Sequence, residues 1–306
     1  FSMVRDDFTW GEYESKKGQG SLSSRHKEFL NKAEEYGFEV LAIVGGSNSL
    51  YDPVTGLGIP HDLDGFSNFV RSLLSEKEFD AVKRIEIQNE PQATYVYENG
   101  RKYYGQDYPE IHAPYYARQM ITARNIIDEL RPDIEIGGLS LCLMGKKETD
   151  TYINEVFDYI NENNNGKIPF DSLTIHPYSS RDGKFVGDTV GHYIDVAANK
   201  GYDKTTEVWC TEYGKMSGNN SIPEQFEQAE YIIKAYADMK SKRFEDDVYL
   251  YEFAQNGGTF GLVSNVNSKI PYSAKLSYIA VSALNNLTGD AKACVMTENE
   301  FSKTYS

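Results

Sequence analysis

The sequence predicts an α/β fold with a parallel sheet and helical crossovers, in barrel or doubly wound form. Three observations lead there. Short apolar runs alternate with longer helix-like runs along the chain. Most of the apolar runs end in a polar or glycine-rich loop. The intervening segments carry helix start and stop signals. A dinucleotide-binding sheet would want GxGxxG after its first strand, and Gly45–Gly46 after the second is too short to count.

Seven runs read as strands: residues 3–8, 38–44, 82–88, 134–141, 172–176, 207–211 and 248–253. Each is rich in Val, Ile, Leu or aromatic residues. The first helix, 25–36, follows the Ser23–Ser24 cap and stops at Gly37. In the helix 113–130, Tyr116, Met120, Ala123, Ile127 and Leu130 recur at three- and four-residue steps and make one apolar stripe. Arg131–Pro132 ends it, because proline cannot continue a helix comfortably. Further helices are expected at 151–161, 224–240 and 273–287. Trp209 lies out of phase with Glu212 on its strand and should face the outer helices as core.

The chain has 306 residues, which suits one large domain or one domain with a small appendage. Thirty-one basic against 46 acidic residues give a net charge of −15. Nucleic acid and anionic lipid need clustered Lys and Arg, so neither is an expected partner. No apolar run is long enough to cross a bilayer. Cys142, Cys210 and Cys294 are scattered and form neither a CxxC pair nor a zinc spacing, so no metal site is expected. The 23 tyrosines each combine an apolar ring with a polar tip, a chemistry suited to sugars as well as to half-buried packing.

In a parallel barrel the chemistry gathers at the carboxyl ends of the strands. There the sequence places Asn48 and Tyr51, Asn89–Glu90–Pro91, His176–Pro177–Tyr178, Thr211–Glu212–Tyr213–Gly214, and Tyr251–Glu252. Glu90 and Glu212 stand out: each ends an apolar strand and is followed by a chain-turning residue. Breaking a glycosidic bond needs two carboxyl groups, one protonated for the leaving oxygen and one ionised to attack or stabilise the sugar cation. Read from spacing alone, each glutamate is equally well an ordinary salt-bridge partner.

Asn89–Glu90–Pro91 after a strand resembles the Asn-Glu-Pro signature of the clan A glycoside hydrolases, in which that Glu is the acid/base. Thr211–Glu212–Tyr213–Gly214 resembles the later strand, whose Glu is the nucleophile. Arg5-Asp6-Asp7-Phe8-Thr9-Trp10 with Glu14 and Lys17–Gly18, Asn48-Ser49-Leu50-Tyr51-Asp52, and Tyr251-Glu252-Phe253 with Phe260-Gly261-Leu262-Val263 are similar to segments of glycoside hydrolase family 39 and its polysaccharide-cleaving relatives. The resemblance implies a (β/α)8 TIM-type barrel over residues 1–288. It starts at the second strand, so the first strand and helix have no counterpart, and the chain is expected to be part of a longer multidomain protein. Residues 289–306, with a strand-like run at 291–296, would open a C-terminal β-sandwich. Gln88 stands where the family usually has Trp, which bears on substrate identity.

The same resemblance implies roles for the neighbours. Asn89 would bind the sugar 2-hydroxyl, its alternative being a turn residue before Pro. Arg5 would hold Glu212 ionised, or pair with Glu86, or both. His176 and Tyr178 would donate near Glu212, a satisfied core histidine being the alternative for His176. Tyr51 and Tyr251 would bind the substrate or support the site. Glu252 would bind sugar hydroxyls or pair with a Lys. The loop 92–112, with Tyr95, Tyr97, Tyr103, Tyr104 and Tyr108, is either a sugar-stacking wall or a self-packed loop.

The resulting expectation is a retaining glycoside hydrolase without cofactor or metal, acting on a β-linked polysaccharide or oligosaccharide, extracellular or on the cell surface, with the cytoplasm as the alternative. Long rim loops at 45–64, 91–113 and 213–223 favour an open groove and internal cleavage. An acidic rim disfavours a strongly anionic polymer unless Arg101, Lys102, Arg181 and Lys184 gather there. The alternatives are an exo-acting enzyme like the β-xylosidases and a non-catalytic sugar-binding barrel.

Overall fold

The structure is a computed structural model that describes residues 2–52, 58–142, 146–178, 186–203, 207–242, 247–288, 296–298 and 303–305. The chain alternates strand and helix. The strands β1 (Met3–Thr9), β2 (Glu39–Gly45), β3 (Arg84–Ile87), β6 (Glu135–Cys142), β7 (Ser172–His176), β8 (Val208–Tyr213) and β9 (Val248–Leu250) form one sheet in that order. Register runs parallel from Met3 opposite Glu39 to Thr9 opposite Gly45, and from Leu41 opposite Arg84 to Val44 opposite Ile87. Among the described residues the sheet has seven strands. Two further strands, β4 (Tyr95–Glu98) and β5 (Arg101–Tyr104), make a separate hairpin.

The chain divides into two compact units, one of Phe1–Ile175 with Ile194–Val208, the other of His176–Tyr193 with Trp209–Ser306. In the first unit, α1 (Trp10–Tyr13) is a short turn, and α2 (Ser24–Tyr36) starts where the Ser23 hydroxyl accepts from the His26 amide. It ends at Gly37, whose φ of 70° suits glycine. β2 is buried from Val40 to Gly45, the pattern of a strand covered on both faces. Helix α3 (Leu63–Leu74), capped by Asp62, buries Phe66, Phe69, Val70, Leu73 and Leu74 on one side. Each such side chain contributes roughly 1.5–3 kcal/mol, so Phe69→Ala would cost about 3–5 kcal/mol. On α4 (Pro109–Leu130), Tyr116 is fully buried; its hydroxyl donates to the Ile87 carbonyl (3.0 Å) and accepts from the Leu139 amide (2.9 Å). One side chain thus ties the end of β3 to β6. α5 (Lys146–Asn163) buries Tyr152, Ile153, Val156, Phe157 and Ile160.

The second unit holds α6 (Val186–Ala198) as far as Tyr193, most of β8, α7 (Ile222–Lys242), β9 and α8 (Leu276–Thr288). Trp209 is fully buried, as its phase on the strand requires. β10 (Met296–Glu298) and β11 (Lys303–Tyr305) pair antiparallel, Met296 opposite Tyr305. Most of the strand-like run at 291–296 lies outside the described residues, as do Arg181, Lys184 and Cys294.

Several boundaries differ from the sequence reading. The strand expected at 248–253 stops at Leu250: Tyr251 still donates to the Tyr213 carbonyl (2.8 Å), but the Glu252 carbonyl turns to the Leu262 amide (3.0 Å). The strand expected at 207–211 instead extends to Tyr213. Helices α3 and α6 were not expected. The loop 92–112 holds the β4–β5 hairpin and the first turn of α4.

Candidate active site

In the first unit the candidate acid/base, Glu90, sits just past β3 with φ 45° and ψ 57°, followed by a single 3-10 turn at Pro91–Ala93. Gln88 also has a positive φ, 69°. Two left-handed residues so close together break the ladder and turn Asn89 and Glu90 out of the strand. Gln88 is buried, and its side-chain carbonyl accepts from the Gly46 amide (2.7 Å), which fixes the neighbouring strand end. A Cβ on Gly45 would lie 2.3 Å from that same oxygen, so the close approach needs glycine there.

Arg5 reaches across from β1. Its guanidinium meets the fully buried Glu86 carboxylate at 2.8 and 2.6 Å and donates to Asn89 Oδ1 at 2.7 Å. The expected pairing with Glu86 is therefore present. Because Asn89 Oδ1 is engaged, its amide nitrogen is left as the donor.

Tyr51 lies in the loop after β2. Its hydroxyl donates to Glu14 Oε1 at 2.5 Å, and its ring lies 4.8 Å from that of Trp10. Trp10 Nε1 donates to the other Glu14 oxygen (2.8 Å), and Asn48 Nδ2 donates to the Glu14 carbonyl (2.7 Å). Tyr51 and Asn48 thus brace the β1 and β2 loops around a buried glutamate. Burial, and then the hydrogen bond to Glu14, raise the Tyr51 hydroxyl's pKa above the ordinary tyrosine value.

In the second unit the candidate nucleophile, Glu212, lies one residue before the end of β8 with a mostly buried carboxyl. The Tyr178 hydroxyl donates to Glu212 Oε1. His176, fully buried, places Nδ1 3.8 Å from Glu212 Oε2, while its Nε2 meets Thr211 Oγ1 at 3.1 Å. The structure thus brings His176, Tyr178 and Glu212 together. Phe260 packs edge-on against Tyr178 (6.0 Å) and Tyr251 (5.3 Å), making an aromatic rim beside the carboxylate. Gly214 is required here, since a Cβ would sit 2.2 Å from the Tyr251 carbonyl oxygen.

Glu252 has its pKa raised, first by burial and then by the charge of Glu212, while Lys275 pulls it back. Burial brings Lys275 down to about 8. Its ammonium donates to the Thr259 carbonyl (2.9 Å), the same oxygen that accepts from the Ser217 amide (3.1 Å) and Gln228 Nε2 (3.2 Å). This knot fixes the loop that carries Phe260. Sequence reasoning missed Lys275 and Gln228, because neither stands in a motif and only the fold brings them to that loop.

No family model and no curated protein sequence matches the chain. Solved structures do. A family 39 glycoside hydrolase from the gut symbiont Bacteroides cellulosilyticus WH2 superposes with a TM-score of 0.72 at 20% identity, over 97% of this chain and 60% of that one. A family 39 β-xylosidase from Caulobacter crescentus gives 0.66 at 16% identity, over 94% and 64%. A family 10 xylanase from Bispora sp. MEY-1 gives 0.61 at 12% identity, over 89% and 84%. The chain therefore spans less than two thirds of the length of those two family 39 structures. What these likenesses establish is architecture: this chain has a (β/α)8 TIM-type fold, with seven sheet strands among the described residues, similar to that of these family 39 and family 10 structures.

Proposed function

We propose that the chain carries the catalytic barrel of a retaining glycoside hydrolase for β-linked glycans, with Glu90 as acid/base and Glu212 as nucleophile. The observation that carries this reading is the unlike support of the two strand-end glutamates. Glu212 accepts a hydrogen bond from the Tyr178 hydroxyl and has His176 beside it, so donors from β7 and its loop fix the carboxylate in place. Glu90 is turned out of its strand beside an asparagine held by Arg5. In this mechanism Glu212 attacks the anomeric carbon while the Glu90 proton passes to the departing oxygen. Glu90 then takes a proton from water as that water releases the sugar from Glu212. Asn89, through its free amide nitrogen, would hold the 2-hydroxyl. Arg5, held by Glu86, would position Asn89 beside Glu90. The similar structures are named for a β-xylosidase and a xylanase, which makes β-xylosides the first substrates to try.

Cleavage within a chain, rather than of single terminal sugars, is our reading of the long segments at 91–113 and 213–223. Action outside the cell follows for a polymer too large to enter. The antiparallel β10–β11 pair supports the reading of residues 289–306 as the opening of a β-rich extension. No described helix is long and apolar enough to cross a membrane.

The test is a panel of aryl β-glycosides with wild type, Glu90→Ala and Glu212→Ala. Glu90→Ala should keep activity on substrates with good leaving groups and be accelerated by azide with formation of the β-glycosyl azide. Glu212→Ala should be inactive, and azide should give the α-product. Equal loss in both variants without any azide product would overturn the assignment. Products from a reduced, labelled oligosaccharide test the mode: monosaccharide alone from the first minutes would refute internal cleavage.

A further inference from the structure

We propose that the outer face of the β4–β5 hairpin is a sugar-binding platform that recognises a β-linked glycan bearing sparse carboxylate groups, with Lys102 meeting the carboxylate. The proposal rests on the glycosidase reading for its ligand class and on the hairpin itself for its residues. Side chains alternate between the faces of a strand, and residues directly opposite on paired strands share a face. The register sets Tyr95 opposite Tyr104 and Tyr97 opposite Lys102. Those four side chains therefore lie on one face. Val96, between them in sequence, is fully buried, so the opposite face is the one packed inward. The inward face also carries Tyr103, which packs against Tyr108 at 5.2 Å and beneath Arg101. The tyrosines of this segment thus divide into a packed pair and an outward set of three.

The outward set is arranged as a surface for rings. Tyr104 is 40% exposed, Tyr95 and Tyr97 are half-buried, and the Tyr95 and Tyr104 rings lie 5.7 Å apart and tilted. Sugar C–H faces stack on such rings, whose phenol ends are polar. The Lys102 ammonium stands 4.0 Å over the Tyr95 ring, which holds it on this face. Among the described residues no carboxylate lies within ion-pair distance of Lys102, and the cation is exposed. The platform begins five residues after Glu90. The net charge of −15 decides the density of ligand charge. A polyanion would meet repulsion from the whole surface. An isolated uronate on a neutral backbone meets Lys102 at contact, while more distant charges are screened beyond about 8 Å at physiological salt.

Affinity electrophoresis tests this without any need for hydrolysis. Glucuronoxylan, a glucuronate-capped arabinogalactan and a partly C6-oxidised β-glucan are each cast in native gels beside their carboxyl-reduced forms. Wild type should be retarded more by at least one uronate form than by its reduced partner. Lys102→Gln should weaken binding of that uronate form by about two- to fivefold, the span of an exposed ion pair, and leave the reduced form unchanged. Tyr97→Ala with Tyr104→Ala should weaken both forms by about tenfold. Thermal melts of these surface variants, unchanged from wild type, show that folding is intact. The idea is overturned if no uronate form binds, if Lys102→Gln leaves uronate binding unchanged, or if the tyrosine pair has no effect. Aryl glycoside hydrolysis measured on the same proteins separates the two readings: an active enzyme with an inert hairpin refutes the platform alone, and a binding hairpin on an inactive barrel refutes the glycosidase alone.

Discussion

Replacing Arg5 with methionine removes the cation from a pair that the fold has taken out of water. Glu86 is fully buried and Arg5 is 11% exposed, with nitrogen–oxygen distances of 2.8 and 2.6 Å. Breaking one side of a buried pair costs about 3–5 kcal/mol, because the remaining charge stays desolvated and unpaired. With an unfolding entropy near 2.1 cal/mol/K per residue, that loss lowers the melting temperature by roughly 5–12 °C, depending on whether the chain melts whole or by units. The double variant Arg5→Met, Glu86→Leu removes both charges and should recover most of the loss, since a buried pair and an apolar pair of similar volume differ little. Activity should not recover with it. Asn89 Oδ1 accepts from Arg5 at 2.7 Å, and in either variant that anchor beside Glu90 is gone. Differential scanning calorimetry gives the stabilities, and kcat/KM on an aryl glycoside gives the second readout. A single variant melting within 2 °C of wild type would refute the buried-pair reasoning. A double variant with full activity would refute the positioning role of Arg5 on Asn89.

Tyr178→Phe deletes the hydroxyl that donates to Glu212 and little else; kcat should fall about 10- to 150-fold, as for a lost hydrogen bond to a charged group, with an unchanged melting temperature. Gly214→Ala forces a methyl group to 2.2 Å from the Tyr251 carbonyl, and overpacking of this kind should cost about 1–3 kcal/mol in urea unfolding and displace Glu212 enough to cut turnover at least tenfold. His112 is fully buried, its Nδ1 3.0 Å from the Tyr152 hydroxyl, and burial takes its pKa down to about 3. The unfolded chain binds a proton near pH 6.5 that the folded chain refuses, so stability falls as pH drops from 6.5 towards 3, by up to about 4 kcal/mol. His112→Gln should flatten that part of the curve relative to wild type; an unchanged slope would contradict it.

Much of the site was legible because strand ends are marked in sequence by an apolar run stopping at a polar residue. Glu90, Glu212, His176 and Tyr178 are placed at strand ends that way, and Trp209 is separated from them by its phase. Tyr51 is placed at a strand end in the same way, but its partner Glu14 stands 37 residues away and only packing shows that the pair braces loops. The hairpin was readable in principle. Asn99 and Gly100 are a two-residue turn with φ of 50° and 79°, the sequence signal that favours a type I′ turn, and they lie between tyrosine-rich runs. The weight of polar residues around them made the segment look like loop. Helix α3 carries apolar residues at 66, 69, 70, 73 and 74, a helical period hidden because the long segment before it reads as loop. Lys275 could not be found: its role arises from the Thr259 carbonyl, and no local pattern announces a contact made by the fold.

The proposed double displacement requires Glu212 to form a covalent bond to the sugar. A 2-deoxy-2-fluoro glycoside with a good leaving group slows release of such an intermediate and lets it accumulate. Intact-mass spectrometry after incubation should show one added fluorosugar per chain, and peptide mapping should place it on Glu212. Glu212→Gln should remain unlabelled, while Glu90→Gln should still be labelled. A label on another residue, or no label from a turning-over enzyme whose first product has inverted configuration, would contradict the account.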